Sequence, residues 1–249
     1  IGARLNWMFD FGTPPKFSPS VRFIVLDVSL DGLCGRACTH VAGHLQANLP
    51  LLLAASASAG VSFSQQSEWH QELLSKVELN RGRLQSTIST RLDSLNYHSV
   101  FHTMHKMLPD DTVIVSEGGN TLDFSRLLFE HKHPRMRLDS GTGGTMGVGI
   151  GYALAAAVAL PSSLVVAVEG DSALGFSCME LETLCRYQLP VLVVVMNNNG
   201  IYEGLASLPA RDSVGQTHWR LPPTGLSPGT QYHAIMRACG GGGEGNSSL

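Results

Sequence analysis

The sequence predicts an α/β chain in which a parallel sheet covered by helices follows a smaller α/β remnant. Three observations carry that expectation. Apolar strand runs alternate with helical stretches from about residue 96 onward. One of those runs, Leu164–Val168, is apolar on both faces, as a central parallel strand requires. The composition also shifts to Ala, Ser, Gly and Gln near residues 56–66. A length of 249 residues corresponds to between one and two domains at roughly 150 residues each. The 43 % hydrophobic and 15 % charged content fits a globular chain with much of its surface small or neutral. A net charge of −3 and the lack of a long basic run exclude the electrostatic footprint of a nucleic-acid binder. The 5 cysteines are odd in number and form no C-x-x-C pair, so reduced thiols are expected. Cys34, Cys38, His40 and His44 lack the spacing of a zinc finger or ribbon.

Taken in order, residues 1–60 read as the end of one α/β unit. Val21–Asp27 is a strand after the turn Gly12-Thr13-Pro14-Pro15, and Val41–Leu53 holds a second strand or a helix. Residues 61–95 read as linker and helix, with helix formers and most of the local charge in Glu68–Arg91. Residues 96–239 form the second unit. Its elements are a helix over Ser99–Leu108, a strand at Thr112–Val115, a helix over Leu122–Glu130 and a short strand near Arg135–Leu138. An Ala-rich helix over Gly151–Leu160 follows, then the Leu164–Val168 strand, a helix over Phe176–Gln188 stopped by Pro190, and the strand Val191–Met196. Residues 240–249 read as a Gly-rich flexible tail. Ser140–Val168 carries no charge, but its Gly/Thr-rich start and Pro161-Ser162-Ser163 split it into two elements too short to span a bilayer. The chain opens Ile1-Gly2-Ala3 with no charged-then-apolar leader and is expected to be a fragment.

Ligands of an open parallel sheet bind beyond the carboxyl ends of its strands. There lie Glu169-Gly170-Asp171-Ser172 after one strand and Asn197-Asn198-Asn199-Gly200 after the next. A single right-handed crossover brings Asp171 and Asn198 to one edge if the two strands are neighbours. A carboxylate, an amide oxygen and the carbonyl of Gly200 are hard donors suited to Mg2+, with a diphosphate as co-ligand. Gly141, Gly143, Gly144, Gly147, Gly149 and Gly151, with Gly118-Gly119, would let backbone approach such a ligand closely, although glycine serves helix-to-strand packing as often. A rival reading takes Gly147, Gly149 and Gly151 with Glu169 as a dinucleotide fingerprint, but it leaves Asp171 and Asn198 unused.

Gly170-Asp171-Ser172 followed by Asn197-Asn198 resembles the thiamine-diphosphate signature. The runs VSEGGNTLDFSR, RLDSGTGGTMGVGIGYALAAAV, VEGDSALGFSCMELETLCRYQLPV and MNNNGIYEG resemble the 2-hydroxyacyl-CoA lyase and oxalyl-CoA decarboxylase family. The opening GARLNW and FGTPPKF are similar to that family's middle domain. The resemblance implies a pyrophosphate-type cofactor domain, truncated and preceded by the end of the middle domain. It implies Mg2+ on Asp171, Asn198 and the Gly200 carbonyl. Gly170, Ser172 and the loop Glu117, Gly118, Gly119, Asn120, Thr121 would enclose the diphosphate. The Gly144 carbonyl would meet the aminopyrimidine amine, Met146 would wedge the cofactor into its bent form, and Ile201 would lie beside it. Tyr202 would reach an acyl-CoA substrate as the catalytic residue. Arg4 and Asp27 would be nucleotide contacts or plain surface and capping residues. The resemblance further implies cleavage of a 2-hydroxyacyl-CoA to formyl-CoA and a shortened aldehyde, or decarboxylation of oxalyl-CoA. The glutamate that activates the cofactor would come from a separate N-terminal domain. A homo-oligomer and a peroxisomal, otherwise cytoplasmic, location follow from the same resemblance; Ser247-Ser248-Leu249 lacks the basic middle residue of the peroxisomal S-K-L signal.

Overall fold

The computed structural model describes residues 1–3, 5–29, 38–89, 95–205 and 221–242. The chain divides into two compact units, Ile1–Arg83 and Leu84–Leu249.

In the first unit a short 3-10 turn at Trp7–Gly12 precedes strand β1 (Phe23–Asp27), which pairs in parallel with β2 (Cys38–Ala42). The stretch expected as strand or helix is both, because β2 ends at Ala42 and helix α1 (Leu45–Ser58) begins just beyond. Helix α1 thus runs into the start of the Ala-, Ser-, Gly- and Gln-rich stretch near residues 56–66. Ser67 starts helix α2 (Glu68–Ser89) by accepting the His70 N–H on its hydroxyl at 3.3 Å. Asp27 ends β1 and accepts the Ser29 N–H at 3.1 Å, a local turn of the capping kind. Arg4, Cys34, the Cys38 side chain and most of the Gly-rich tail lie outside the described residues.

The second unit holds a four-stranded parallel sheet in the order β4-β3-β5-β6. Helix α3 (Tyr97–Met107) opens on a reciprocal cap between Asn96 and Ser99. Strand β3 (Val113–Glu117) and helix α4 (Gly119–Leu128) come next, followed by strand β4 (Arg137–Asp139) and helix α5 (Gly149–Ala159). Strand β5 (Val165–Gly170) is buried at every position, as its two-sided apolar run requires between neighbours β3 and β6 (Val191–Met196). The single helix expected over Phe176–Gln188 is instead two, α6 (Asp171–Ser177) and α7 (Glu180–Arg186). Cys178 and Met179 keep helical dihedrals, but the bonds tighten to three-residue steps there, Leu181 N–H to the Cys178 carbonyl and Glu182 N–H to the Met179 carbonyl. Helix α4 begins three residues before the expected Leu122. A final helix, α8 (Tyr232–Ala238), was not expected from the pattern; Tyr232, Ile235, Met236 and Cys239 pack it on the core.

Strand alternation splits the core into two faces. Val113, Val115, Val165 and Ala167 pack with Ile150, Ala153 and Leu174 beneath α5. Ile114, Val166 and Val168 point the other way, toward Phe101 of α3 and Phe129. The same period carries Glu117 and Glu169, directly paired in the β3–β5 register, onto the α5 face at the carboxyl end of the sheet. Among the described residues no helix is long and apolar enough to cross a membrane.

Candidate functional site

Because β5 and β6 are neighbours in register, with Gly170 opposite Met196, the chain leaves both strands at one rim. Helix α6 begins at once, so Asp171 occupies its first turn and is only 3 % exposed. Its carboxylate accepts the Ser172 N–H at 2.7 Å and the Gly200 N–H at 2.9 Å. Burial pushes the Asp171 carboxyl up, opposed by the backbone N–H groups of Ser172, Gly200, Asn199 and Asn198.

Asn198 donates its side-chain N–H to the Tyr202 carbonyl at 2.9 Å, while its Oδ1 is buried with no hydrogen-bond partner. A buried amide oxygen without a partner is costly unless a donor or a cation completes it. Gly204 makes room for it. At φ +68° a side chain there would bring its Cβ within 2.7 Å of Asn198 Oδ1. The turn is held from behind, since the Thr224 carbonyl accepts the Ile201 N–H and the Asn199 carbonyl accepts the Leu226 N–H, each at 2.9 Å. Gly200 is pinned there too, paired with Gly225 across an antiparallel bridge.

The β3–α4 loop closes on the same rim. Gly118, at φ +117°, packs on the Gly170 backbone, and Thr121 is buried with its hydroxyl beside Gly170. Asn120 donates to the Tyr202 carbonyl at 2.9 Å, so that carbonyl receives amide groups from Asn120 and Asn198 and ties the two loops together. The Tyr202 ring lies over Gly119 and is exposed. Gly144 and Met146 sit on the loop before α5, Gly144 at φ +58° and Met146 partly exposed.

Glu117 opens the loop expected to help enclose a diphosphate, but its side chain turns away from that loop. The side chain is 1 % exposed and turned beneath α5, where its carboxylate accepts the N–H groups of Gly147, Val148 (2.8 Å) and Gly149. Glu169 is fully buried beside it with both carboxyl oxygens unpartnered. Burial, and then the Glu117 charge, pushes its carboxyl up to about 8. A carboxyl sealed under Gly149 does not reach a ribose, which removes the dinucleotide reading. This carboxyl pair is not apparent in the sequence alone. Its signal was the matching strand ends V-S-E-G and V-E-G, readable only once β3 and β5 are known to be adjacent.

Among the described residues no cluster of three or more His, Cys, Asp or Glu is placed to hold a metal. Any cation at this rim would therefore have to draw on Asp171 together with amide and carbonyl oxygens. Residues 117–247 match the model of the thiamine pyrophosphate enzyme C-terminal TPP-binding domain, a span that opens at Glu117 and takes in the whole rim. The chain belongs to the thiamine pyrophosphate enzymes. Within them it is 39 % identical over 98 % of its length to 2-hydroxyacyl-CoA lyase 1 of Homo sapiens, covering 43 % of that protein. It is 40 % identical over 96 % of its length to 2-hydroxyacyl-CoA lyase of Saccharomyces cerevisiae, covering 42 % of it. To oxalyl-CoA decarboxylase of Escherichia coli it is 36 % identical over 98 % of its length, covering 42 %. The chain spans less than half the length of the curated relatives it matches.

Proposed function

We propose that this chain is the cofactor-holding part of a thiamine-diphosphate- and Mg2+-dependent lyase that splits a 2-hydroxyacyl-CoA into formyl-CoA and an aldehyde one carbon shorter. The observation that carries the reading is the pairing of neighbouring strands β5 and β6, which end at the buried Asp171 carboxylate and at the turn holding the buried, unpartnered Asn198 Oδ1. These two oxygens and the Gly200 carbonyl would hold Mg2+, leaving its other positions to diphosphate oxygens and water, the usual habit of that ion. Gly170, Ser172 and the Gly118–Thr121 loop would line the diphosphate, and Ile201 would border the cofactor. The Gly144 carbonyl would take the aminopyrimidine amine, with Met146 beneath the bend. The chemistry thiamine diphosphate supplies when bound is addition to a carbonyl and storage of the electron pair released on carbon–carbon cleavage. The Tyr202 side chain, exposed above Gly119 with its backbone carbonyl fixed by two amides, would orient the acyl-CoA.

Identity to the Escherichia coli oxalyl-CoA decarboxylase supports a second reading, decarboxylation of oxalyl-CoA. A third, cofactor binding without turnover, applies to the chain on its own. Kinship also supports a peroxisomal site of action, with the cytoplasm the alternative, and a homo-oligomeric assembly. Supplying the chain with both cofactors and either a 2-hydroxyacyl-CoA or oxalyl-CoA separates the readings. Formyl-CoA together with an aldehyde supports the lyase, carbon dioxide release from oxalyl-CoA alone supports the decarboxylase, and bound cofactor with neither product leaves the holding function.

A further inference from the structure

We propose that Glu117 is a positioning residue whose carboxylate clamps the backbone of Gly147, Val148 and Gly149 and so presets the loop carrying Gly144 and Met146 for the cofactor. The proposal rests on the reading that this loop receives thiamine diphosphate.

Glu117 ends β3, and the strand period directs it to the α5 face rather than the rim. There it meets three successive N–H groups leading into α5, the last of which, on Gly149, is among the donors that a helix leaves without internal partners. A carboxylate at that end also opposes the positive pole of the helix. The far end of the same loop is tied independently. Arg126 grips Asp139 with two N–H groups at 3.1 and 2.9 Å and reaches the Gly141 carbonyl at 3.1 Å, and the Gly141 N–H returns to Asp139 at 2.7 Å. Residues 142–146 thus bridge two polar anchors, which restrict the arrangements open to the Gly144 carbonyl and Met146 before any ligand arrives. Gly149 completes the arrangement, because a Cβ there would run into Glu169 Oε1 and come within 2.8 Å of Glu117 Oε2.

Glutamine keeps the shape of Glu117 but turns an N–H donor toward backbone N–H groups, so Glu117→Gln breaks the clamp without opening a cavity. Two measurements on the full chain test it: amide hydrogen exchange, and calorimetric titration with Mg2+–thiamine diphosphate and with Mg2+–pyrophosphate. Pyrophosphate probes the Asp171 end alone. In the wild type the amides of residues 147–149 are expected to exchange as slowly as those of β5, a measurement that needs no variant. In Glu117→Gln they are expected to exchange at least about tenfold faster while β5 is unchanged. The thiamine diphosphate Kd should rise about tenfold or more, with pyrophosphate within roughly twofold. Glu117→Asp, which keeps the charge one methylene short, should fall between. Wild-type exchange at 147–149 as fast as in an exposed loop would overturn the proposal. So would an unchanged thiamine diphosphate Kd in Glu117→Gln, or an equal loss for both ligands. A wild-type chain that binds neither ligand removes the cofactor reading, and the exchange rates then decide the clamp by themselves.

Discussion

Gly149 opens α5 where two carboxyl side chains converge, and it shows how a single methyl group tests the packing. In an ordinary helix Gly→Ala stabilises by about 1 kcal/mol. Here the added Cβ would meet Glu169 Oε1 and lie 2.8 Å from Glu117 Oε2. The clash outweighs propensity, and Gly149→Ala is expected to lose about 1–3 kcal/mol in chemical denaturation; a gain would show that the carboxyls do not sit there. The neighbouring Glu169 supplies a pH signature. Its carboxyl is held near pH 8 against 4.5 for the ordinary group, so the native state keeps a proton that the unfolded chain has released. Stability is greatest from this group below pH 4.5 and declines as pH rises toward 8, by up to about 1.4 kcal/mol per pH unit. Glu169→Gln should flatten that slope in metal-free denaturation curves, and an unaltered slope would assign it elsewhere. Neither effect was legible in the sequence, because the two glutamates stand 52 positions apart and meet only through strand register.

At the scale of elements, the apolar run Leu164–Val168 was sufficient to place a central strand, and Pro190 marked where a helix had to stop before β6. The break between α6 and α7 left no such mark. Residues 178 and 179 remain helical in dihedrals, and only the hydrogen-bond step changes, which no residue type announces. Helix α8 was hidden for a different reason, since a short helix after a Pro- and Gly-rich stretch has too few periods to stand out. The junction of α4 with β4 gives the element-scale prediction. Burial pushes the Asp139 carboxyl up, but the Arg126 fork, the Gly141 N–H and the Arg126 and Arg137 charges outweigh it and hold it below its ordinary 3.8. A lowered carboxyl contributes stability above the unfolded value and loses it as pH falls through the folded one. Arg126→Ala, which leaves a carboxylate 8 % exposed at its side chain with only the Arg137 charge and the Gly141 N–H to answer it, is expected to cost about 2 kcal/mol at pH 7. The difference from wild type should shrink in acid below pH 3.8. A cost that stays constant through that range would contradict the pairing.

Across the whole second unit, three carboxyl groups gather at one edge of the sheet, Glu117 at 1 %, Glu169 at 0 % and Asp171 at 3 % exposure. Among the described residues no Lys or Arg forms an ion pair with any of them. Glu117 is answered by backbone N–H groups and Glu169 by retaining its proton, which leaves Asp171 and the orphaned Asn198 oxygen as the place where the proposed cation would complete the balance. That pairing could be read from the sequence because one crossover joins consecutive strands, and chirality then fixes the rim on which both loops emerge. The most direct measurement is calorimetric titration of the chain with thiamine diphosphate, with Mg2+ and with a chelator, for wild type and Asp171→Ala. The account predicts binding that requires Mg2+ and falls by about a hundredfold or more in the variant; equal binding with chelator present, or an Asp171→Ala chain that binds like wild type, would contradict it.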